Sequence, residues 1–595
     1  MRTDLCKTHM TKGSDDGEEV SQMEEFFMEM LRQLQRDYDA LDLPVVSEEG
    51  KMHEFMLPMP DGVKLQTFLF YGGSGGGEAA GTDCRPVILQ RSPYAHSMDS
   101  YRVHGENLAR RGFIYIVQFC RGTGGSEGEW DPNVNERADG LATLNWLQEQ
   151  SWVKNIGYWG DSYLALTGWC MADAVPEKVK GMYLGVYGTD RFTSAYQKGL
   201  FRHDVLTSWA MENAGFSVEA DYMDSCRFRP HYRVDEALWG KEIPWYRRWI
   251  TATKEDDPYW QEGFWKLLRE IPEKVKIPLY VTEGWYDHHL GSALKSYANL
   301  SGETLEKSTL SIGSWNHFCM NCLEWSSPEH LENSEVASMV KWFTTLLVKE
   351  QTPKRSARIY LIGADRWEEL PSWPVPVKET KRFYLAAEEH PECAHAYVLH
   401  GSEGAALTQT GYLYRPDDPA PSHGAESMLK SMDQVGSMYQ PEPGFRPDVI
   451  TFVSETLKEE MLIAGQIRVH LTVASDCEDT AFTAKVMEIK ADGRAVNIRS
   501  SITTIEADLP CKTAGYVPGE RTRVCVDMWD IAWQVSAGSR IRVDISSSDF
   551  PQYAVHANYP GVWSKQEKTR DAHQTIFCGF GQESFIEFPV AELYG

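Results

Sequence analysis

Apolar runs that alternate with helical stretches constrain this chain more than any other feature. Pro86–Gln90, Phe113–Phe119, Ile156–Trp159, Gly181–Tyr187, Ile277–Thr282 and Thr309–Gly313 each read as short, near-continuous hydrophobic strands, and helical stretches such as Glu136–Glu149 lie between some of them. A strand apolar on both faces must be covered on both faces, which predicts a parallel sheet sandwiched by helices. Ahead of it, Glu54–Pro60 and Val63–Phe70 flank Asp61-Gly62, a hairpin signal. The strand pattern stops between about Thr189 and Glu273, where the chain is helical and carries Trp209, Trp239, Trp245, Trp249, Trp260 and Trp265. An insertion at that place reads as a lid over the active edge, with most tryptophans as its core and a few lining a pocket. From about Lys354 the segments become short and alternating (Ile467–Val473, Phe482–Ile489, Arg523–Met528, Arg540–Ile545), which predicts a sandwich or jelly roll. The expected units are therefore 1–50 (an extension), 51–188 and 275–353 (the sheet domain in two parts), 189–274 (a helical cap) and 354–595 (a β-domain).

The 595 residues carry a formal charge of -27, which argues against nucleic acid and anionic membranes as partners. No apolar run reaches the length of a transmembrane helix, and the first residues are polar, without a signal-peptide core. The scattered cysteines fit reduced thiols in a cytoplasm. Residues 1–17 read as disordered. Val20, Met23, Phe27, Met30, Leu31, Leu34 and Tyr38 recur at helical spacing over Glu18–Asp39, an amphipathic helix packed on the body or, less simply, a dimer or partner contact. Gly72–Gly81 lacks the Lys-Ser/Thr of a phosphate loop and reads as a flexible turn; Pro416–Pro447 reads as a long loop.

The chemistry gathers at strand ends. Gly157-Tyr158-Trp159-Gly160-Asp161-Ser162-Tyr163-Leu164-Ala165 places a serine on a tight bend between a strand and a helix expected to run from Tyr163 to Ala174. Gly160 has no Cβ to obstruct such a bend, and Leu164 stands where a second glycine is usual. Ligands of a parallel sheet bind beyond the carboxyl ends of its strands. Ser162, Asp287 and His317 each follow a predicted strand, in the chain order of α/β-hydrolases. Ser162 is the candidate nucleophile, His317 its base and Asp287 the group that fixes the imidazole. His288 and His289 are rival bases and Asp161 a rival acid. The backbone N–H of Tyr163 and the hydroxyl of Tyr94 are candidate oxyanion donors. His317-Phe318-Cys319-Met320-Asn321-Cys322 contains a C-x-x-C beside a histidine, but no second ligand pair accompanies it, so neither metal nor cofactor is expected.

These residues resemble the family of cocaine esterase, α-amino acid ester hydrolases and X-prolyl dipeptidyl-peptidases. The similarity runs from about residue 52 to the C-terminus, through Met59–Leu65, Arg91-Ser92-Pro93-Tyr94, Arg121-Gly122 with Ser126-Glu127-Gly128, Gly160–Tyr163, Gly284–Asp287, Gly313–His317, Asp479–Lys485 and Asp492–Ala495. The resemblance implies an α/β-hydrolase with an inserted helical cap and a C-terminal jelly roll. It also implies Ser162, Asp287 and His317 as triad, and Tyr94 as an oxyanion donor. Two positions depart from it. Phe119 stands where the family often has an acidic residue, and Ala165 where the amino-ester branch has a carboxylate that helps hold the substrate ammonium. The expected activity is hydrolysis of a small-molecule ester or amide through an acyl-enzyme. The alternatives are an X-Pro dipeptidyl-peptidase acting on short peptides, or a non-catalytic protein binding through its β-domain. A homo-oligomer is left open.

Overall fold

The computed structural model of the chain describes residues 16–73, 84–327, 335–402, 406–424, 426, 434–509, 515–579 and 584–592, with side chains from residue 28 onward. Residues 1–15 of the segment expected to be disordered, and most of the glycine-rich turn at 72–81, lie outside the described residues, while residues 16 and 17 are helical.

The first sheet has ten strands: β1 Gly50–Pro58, β2 Lys64–Gly72, β3 Arg85–Ser92, β4 Ile114–Phe119, β5 Val153–Asp161, β6 Val179–Gly185, β7 Leu279–Tyr286, β8 Thr309–Asn316, β9 Ser356–Leu361 and β10 Arg366–Leu370. Their order is β1-β2-β4-β3-β5-β6-β7-β8-β9-β10. The run from β4 to β9 is parallel; the β1–β2 hairpin and β10 close the edges antiparallel. Alternate residues of one strand enter opposite layers, as period two requires. Ile88 packs with Tyr115, Val117, Trp159 and the helices Met98–Arg110 and Glu335–Phe343. Val87 and Leu89 pack with Ile114, Ile116, Tyr158 and the helices Glu136–Gln148 and Tyr163–Trp169. Covering both faces is what the near-continuous apolar runs called for.

Two expectations need correction. The stretch from 354 does not belong wholly to the β-domain, because β9 and β10 extend the first sheet. Alternation marks a strand but not the sheet it joins, and β9 pairs parallel beside β8 from Thr309↔Ser356 onward. The helix after Ser162 ends at Trp169 rather than Ala174. There the Arg137 guanidinium takes the Cys170 carbonyl and the Asp173 carboxylate, and the chain leaves the helical path.

Between β6 and β7 lie helices that include Arg191–Ala195, His203–Glu212, Tyr222–Arg227, Pro244–Thr251 and Gly263–Glu270, with a small hairpin of Tyr196–Gln197 and Leu200–Phe201. Trp239, Trp249, Trp260 and Trp265 are its buried core, while Trp209 and Trp245 are only partly covered. The second sheet has eleven strands and is mostly antiparallel; the long ladder of Met461–Ser475 on Thr522–Val535 is its spine. The two sheets are joined by backbone hydrogen bonds, Ile362 donating to Ala532 and Gln534 donating to Ile362.

The N-terminal helix spans Asp16–Asp39. Its last turn is anchored: Tyr38 is fully buried and bonds His104 Nδ1 at 3.0 Å. Among the described residues no helix is long and apolar enough to cross a membrane, and every cysteine is a free thiol.

Candidate active site

Ser162 sits where the strand order reverses, after β5. Its backbone is at φ 55°, ψ −125°, a left-handed, strained conformation for a residue with a side chain. Close packing holds the bend. A Cβ on Gly160 would lie 2.3 Å from the Leu164 carbonyl oxygen, and one on Gly185 would lie 1.9 Å from Asp161 Oδ1. Leu164 in place of a glycine is tolerated because Gly160 alone provides the clearance. The Ser162 N–H donates to the Gly185 carbonyl at 3.0 Å, tying the bend to β6.

The structure brings Ser162, His317 and Asp287 into one hydrogen-bonded line. His317 Nε2 lies 2.9 Å from Ser162 Oγ, and His317 Nδ1 lies 2.5 Å from Asp287 Oδ2. Asp287 is fully buried, and its other oxygen accepts the His289 N–H at 2.5 Å. His317 leaves the end of β8 in a tight loop. The Asn316 side chain accepts the N–H groups of Phe318 and Met320, and Cys319 takes φ 56°. The rival residues have other surroundings. His289 Nδ1 pairs with Ser194 Oγ at 2.7 Å, and burial lowers the pKa of both His288 and His289 well below the usual imidazole range. Asp161 faces Gly185 and Glu335; burial and then Glu335 push its carboxyl well above the usual range.

Tyr94 is held by a contact that sequence reading missed. Its hydroxyl accepts the Trp209 indole N–H at 3.1 Å, so its own proton is left for another acceptor. Tyr163 opens its helix, where backbone N–H groups have no intrahelical partner. Its ring is fixed at the far end: the hydroxyl donates to Glu136 Oε1 at 2.9 Å and accepts the Asn133 N–H at 2.8 Å. Tyr163 and Trp209 stack with ring centres 6.1 Å apart, and Trp130 and Trp245 pack against Trp209. An aromatic cluster is thus built on the ring of Tyr163, the residue after Ser162, from Trp130 of the sheet domain and from Trp209 and Trp245 of the inserted helices.

Three carboxylates of that insertion have partners of their own. Asp235 is buried against the Arg247 guanidinium, Glu236 reaches the same arginine, and Asp221 caps its helix through the Asp224 N–H. Ala165, three residues after Ser162, is fully buried. Burial raises the thiol pKa values of Cys319 and Cys322. Among the described residues, the side chains grouped closely enough to share an ion are not these cysteines but Asp287, His288 and His317.

A second set of residues missed from sequence lies behind the acid. Arg499, buried in the second sheet, donates to the Trp285 carbonyl, two residues before Asp287, and to the Asp530 carbonyl. Glu426 pairs with Arg499 at 3.2 Å and with Arg202 at 3.0 Å, and the Arg202 guanidinium lies 4.0 Å from the Trp529 ring centre. Tyr286 donates to the Ile498 carbonyl, and a Cβ on Gly291 would strike the Trp529 indole. The β-domain therefore cradles the loop that carries the acid. Each of these contacts joins residues far apart in sequence, and no local motif announces them.

Two family models match consecutive stretches of the chain. Residues 61–319 match the X-Pro dipeptidyl-peptidase (S15 family), and residues 348–587 match the X-Pro dipeptidyl-peptidase C-terminal non-catalytic domain. This chain belongs to the cocaine esterase and X-prolyl dipeptidyl-peptidase family of α/β-hydrolases. Cocaine esterase of a Rhodococcus species is 26% identical over 589 residues, 90% of this chain and 97% of that protein. Among solved structures, an aminopeptidase from a marine sediment Thaumarchaeota archaeon superposes with TM-score 0.76 at 18% identity, over 93% of this chain and 98% of that one. An α-amino acid ester hydrolase superposes with TM-score 0.74 at 20% identity over the same shares. At those identities the structures establish the fold: an α/β-hydrolase with an inserted helical cap and a separate C-terminal β-domain. As a member of this family the chain is a serine hydrolase of ester or amide bonds, acting on small ester or peptide substrates.

Proposed function

We propose that the chain hydrolyses esters of uncharged, apolar or aromatic acids by acyl transfer to Ser162. His317 takes the Ser162 proton as Oγ attacks the acyl carbon, and Asp287 holds the ring in the tautomer whose Nε2 accepts it. The Tyr94 hydroxyl and the Tyr163 N–H receive the charge that develops on the carbonyl oxygen. His317 then returns the proton to the leaving alcohol, and water enters by the same route to release the acid. The observation that carries this reading is the unbroken hydrogen-bonded line Asp287–His317–Ser162 on a strained bend.

Acyl preference follows from the aromatic cluster and from what faces it. Trp130, Trp209 and Trp245 gather apolar surface around the ring of Tyr163, the residue after the nucleophile. An ammonium group desolvated without a partner loses several kcal/mol. Ala165 has no charge to offer it, and the buried Asp235 of the cap is held by Arg247. An X-Pro dipeptidyl-peptidase would need such an anion for the free amine, so the ester reading is preferred. The curated relative named cocaine esterase accords with it. We further place the enzyme in the cytoplasm, a reading supported by its free thiols.

The test is a matched panel: p-nitrophenyl esters of phenylacetic acid and of phenylglycine, with an X-Pro-anilide beside them. The phenylacetyl ester should win in kcat/KM. A preference for the amino ester of a hundredfold or more, about 2.7 kcal/mol, would overturn the acyl assignment, and fast X-Pro-anilide cleavage would replace it with the peptidase reading.

A further inference from the structure

We propose that a divalent cation of the zinc class binds between Asp287, His288 and His317 and switches the enzyme off reversibly. One ligand-type atom from each of these residues lies within 4.8 Å of the others. His288 is the residue that acyl transfer does not use. It is 2% exposed, its Nδ1 has no hydrogen-bond partner, and that atom stands 3.9 Å from Asp287 Oδ1. A buried imidazole nitrogen with no partner is costly to keep, and its ring stands 4.6 Å from that of His317. Two imidazoles and one carboxylate are a donor set that suits zinc, with one position left open for water.

Zinc needs ligand distances of about 2.0–2.2 Å, so the three groups must draw around the ion and the His317–Asp287 hydrogen bond must open. His317 then gives its Nδ1 lone pair to the metal. The proton that Nδ1 carried moves to Nε2, and the ring stays neutral. Nε2 now bears a hydrogen where it had accepted the Ser162 proton, so the nucleophile loses its base. No bond to substrate is made or broken, and removing the ion restores the original tautomer. Loss of turnover rests on the acyl-transfer reading; binding of the ion does not.

Zinc chloride titrated in a non-coordinating buffer against p-nitrophenyl phenylacetate is the direct experiment. Wild-type turnover should fall at least about tenfold at saturation, since the base is worth more than that, and return with EDTA. His288→Asn should turn over normally without zinc, and its inhibition constant should rise at least about tenfold, the scale of a lost ligand. Equal zinc sensitivity in the two proteins would overturn the proposal. Calorimetry on Ser162→Ala does not depend on the folding of a His288 variant. It should show a saturable zinc site that also takes cobalt with the visible bands of a four-coordinate ion; no saturable event, or a six-coordinate cobalt spectrum, overturns the site. Turnover retained by Ser162→Ala would sink the acyl-transfer reading while leaving the zinc heat in place.

Discussion

At Tyr94 the proposed chemistry depends on one hydroxyl having two neighbours. Trp209 occupies its lone pair at 3.1 Å, which leaves the proton for the oxyanion. Tyr94→Phe should lower kcat by about 10²–10³-fold, the loss of one such donor, with KM moving little. Trp209→Phe keeps the hydroxyl but not its orientation and should cost only about tenfold, one ordinary hydrogen bond. Stopped-flow acylation on both variants checks the ranking, and an unchanged rate for Tyr94→Phe would leave Tyr94 as packing. Asp161 carries a prediction in pH. Its folded carboxyl is held well above the usual range by burial and by Glu335, whereas an unfolded aspartate ionises near 3.9. The folded chain therefore keeps a proton that the unfolded chain has lost. The stability due to this group is fully present below about pH 4 and drains away as pH rises toward the folded value. Asn carries no such proton, so Tm of Asp161→Asn minus that of wild type should grow steadily from pH 5 to pH 8. A flat difference would mean the carboxyl is ionised in the folded state. The grouping of Ser162, His317 and Asp287 was legible because each directly follows a strand whose apolar run is visible. Trp209 was not, because it reaches Tyr94 across 115 residues.

At the scale of elements, the loop after β7 is positioned from outside its own domain. Arg499 supplies a donor to the Trp285 carbonyl from the second sheet, and its guanidinium is fully buried against Glu426. Arg499→Lys keeps the charge but loses the planar fork that spans Trp285, Glu426 and Asp530. It should lower kcat by roughly tenfold with KM within about threefold, since a misplaced acid affects the reaction more than binding. Arg499→Met should also destabilise by about 3 kcal/mol or more, because Glu426 stays buried with one partner fewer. Steady-state kinetics taken well below Tm separate the two effects; a change in KM alone would mean the contact shapes the pocket instead. The strand-by-strand reading foresaw the parallel sheet and the hairpin before it. It misplaced β9 and β10, since a short alternating strand reads alike in either sheet, and which one it joins is decided by pairing with β8.

For the whole molecule, the proposed reaction rests on three pieces of chain meeting at one edge. The sheet brings nucleophile, base and acid; the inserted helices bring Trp209 and Trp245; the β-domain braces the acid through Arg499. The sequence shows the pieces because each has its own period, continuous apolar runs, helical aromatics, then alternation. It hides the seams, such as the Arg202–Glu426–Arg499 bridge, because burying charges in pairs leaves no local pattern. The central claim is that one serine becomes acylated. A fluorophosphonate probe followed by intact-mass analysis and peptide mapping tests it most directly. Wild type should take up one adduct, on Ser162, and lose turnover in step with labelling, whereas Ser162→Ala should take up none and fall by something like ~10⁶-fold in turnover. An adduct mapped to another serine, or turnover that survives in Ser162→Ala, would contradict the account.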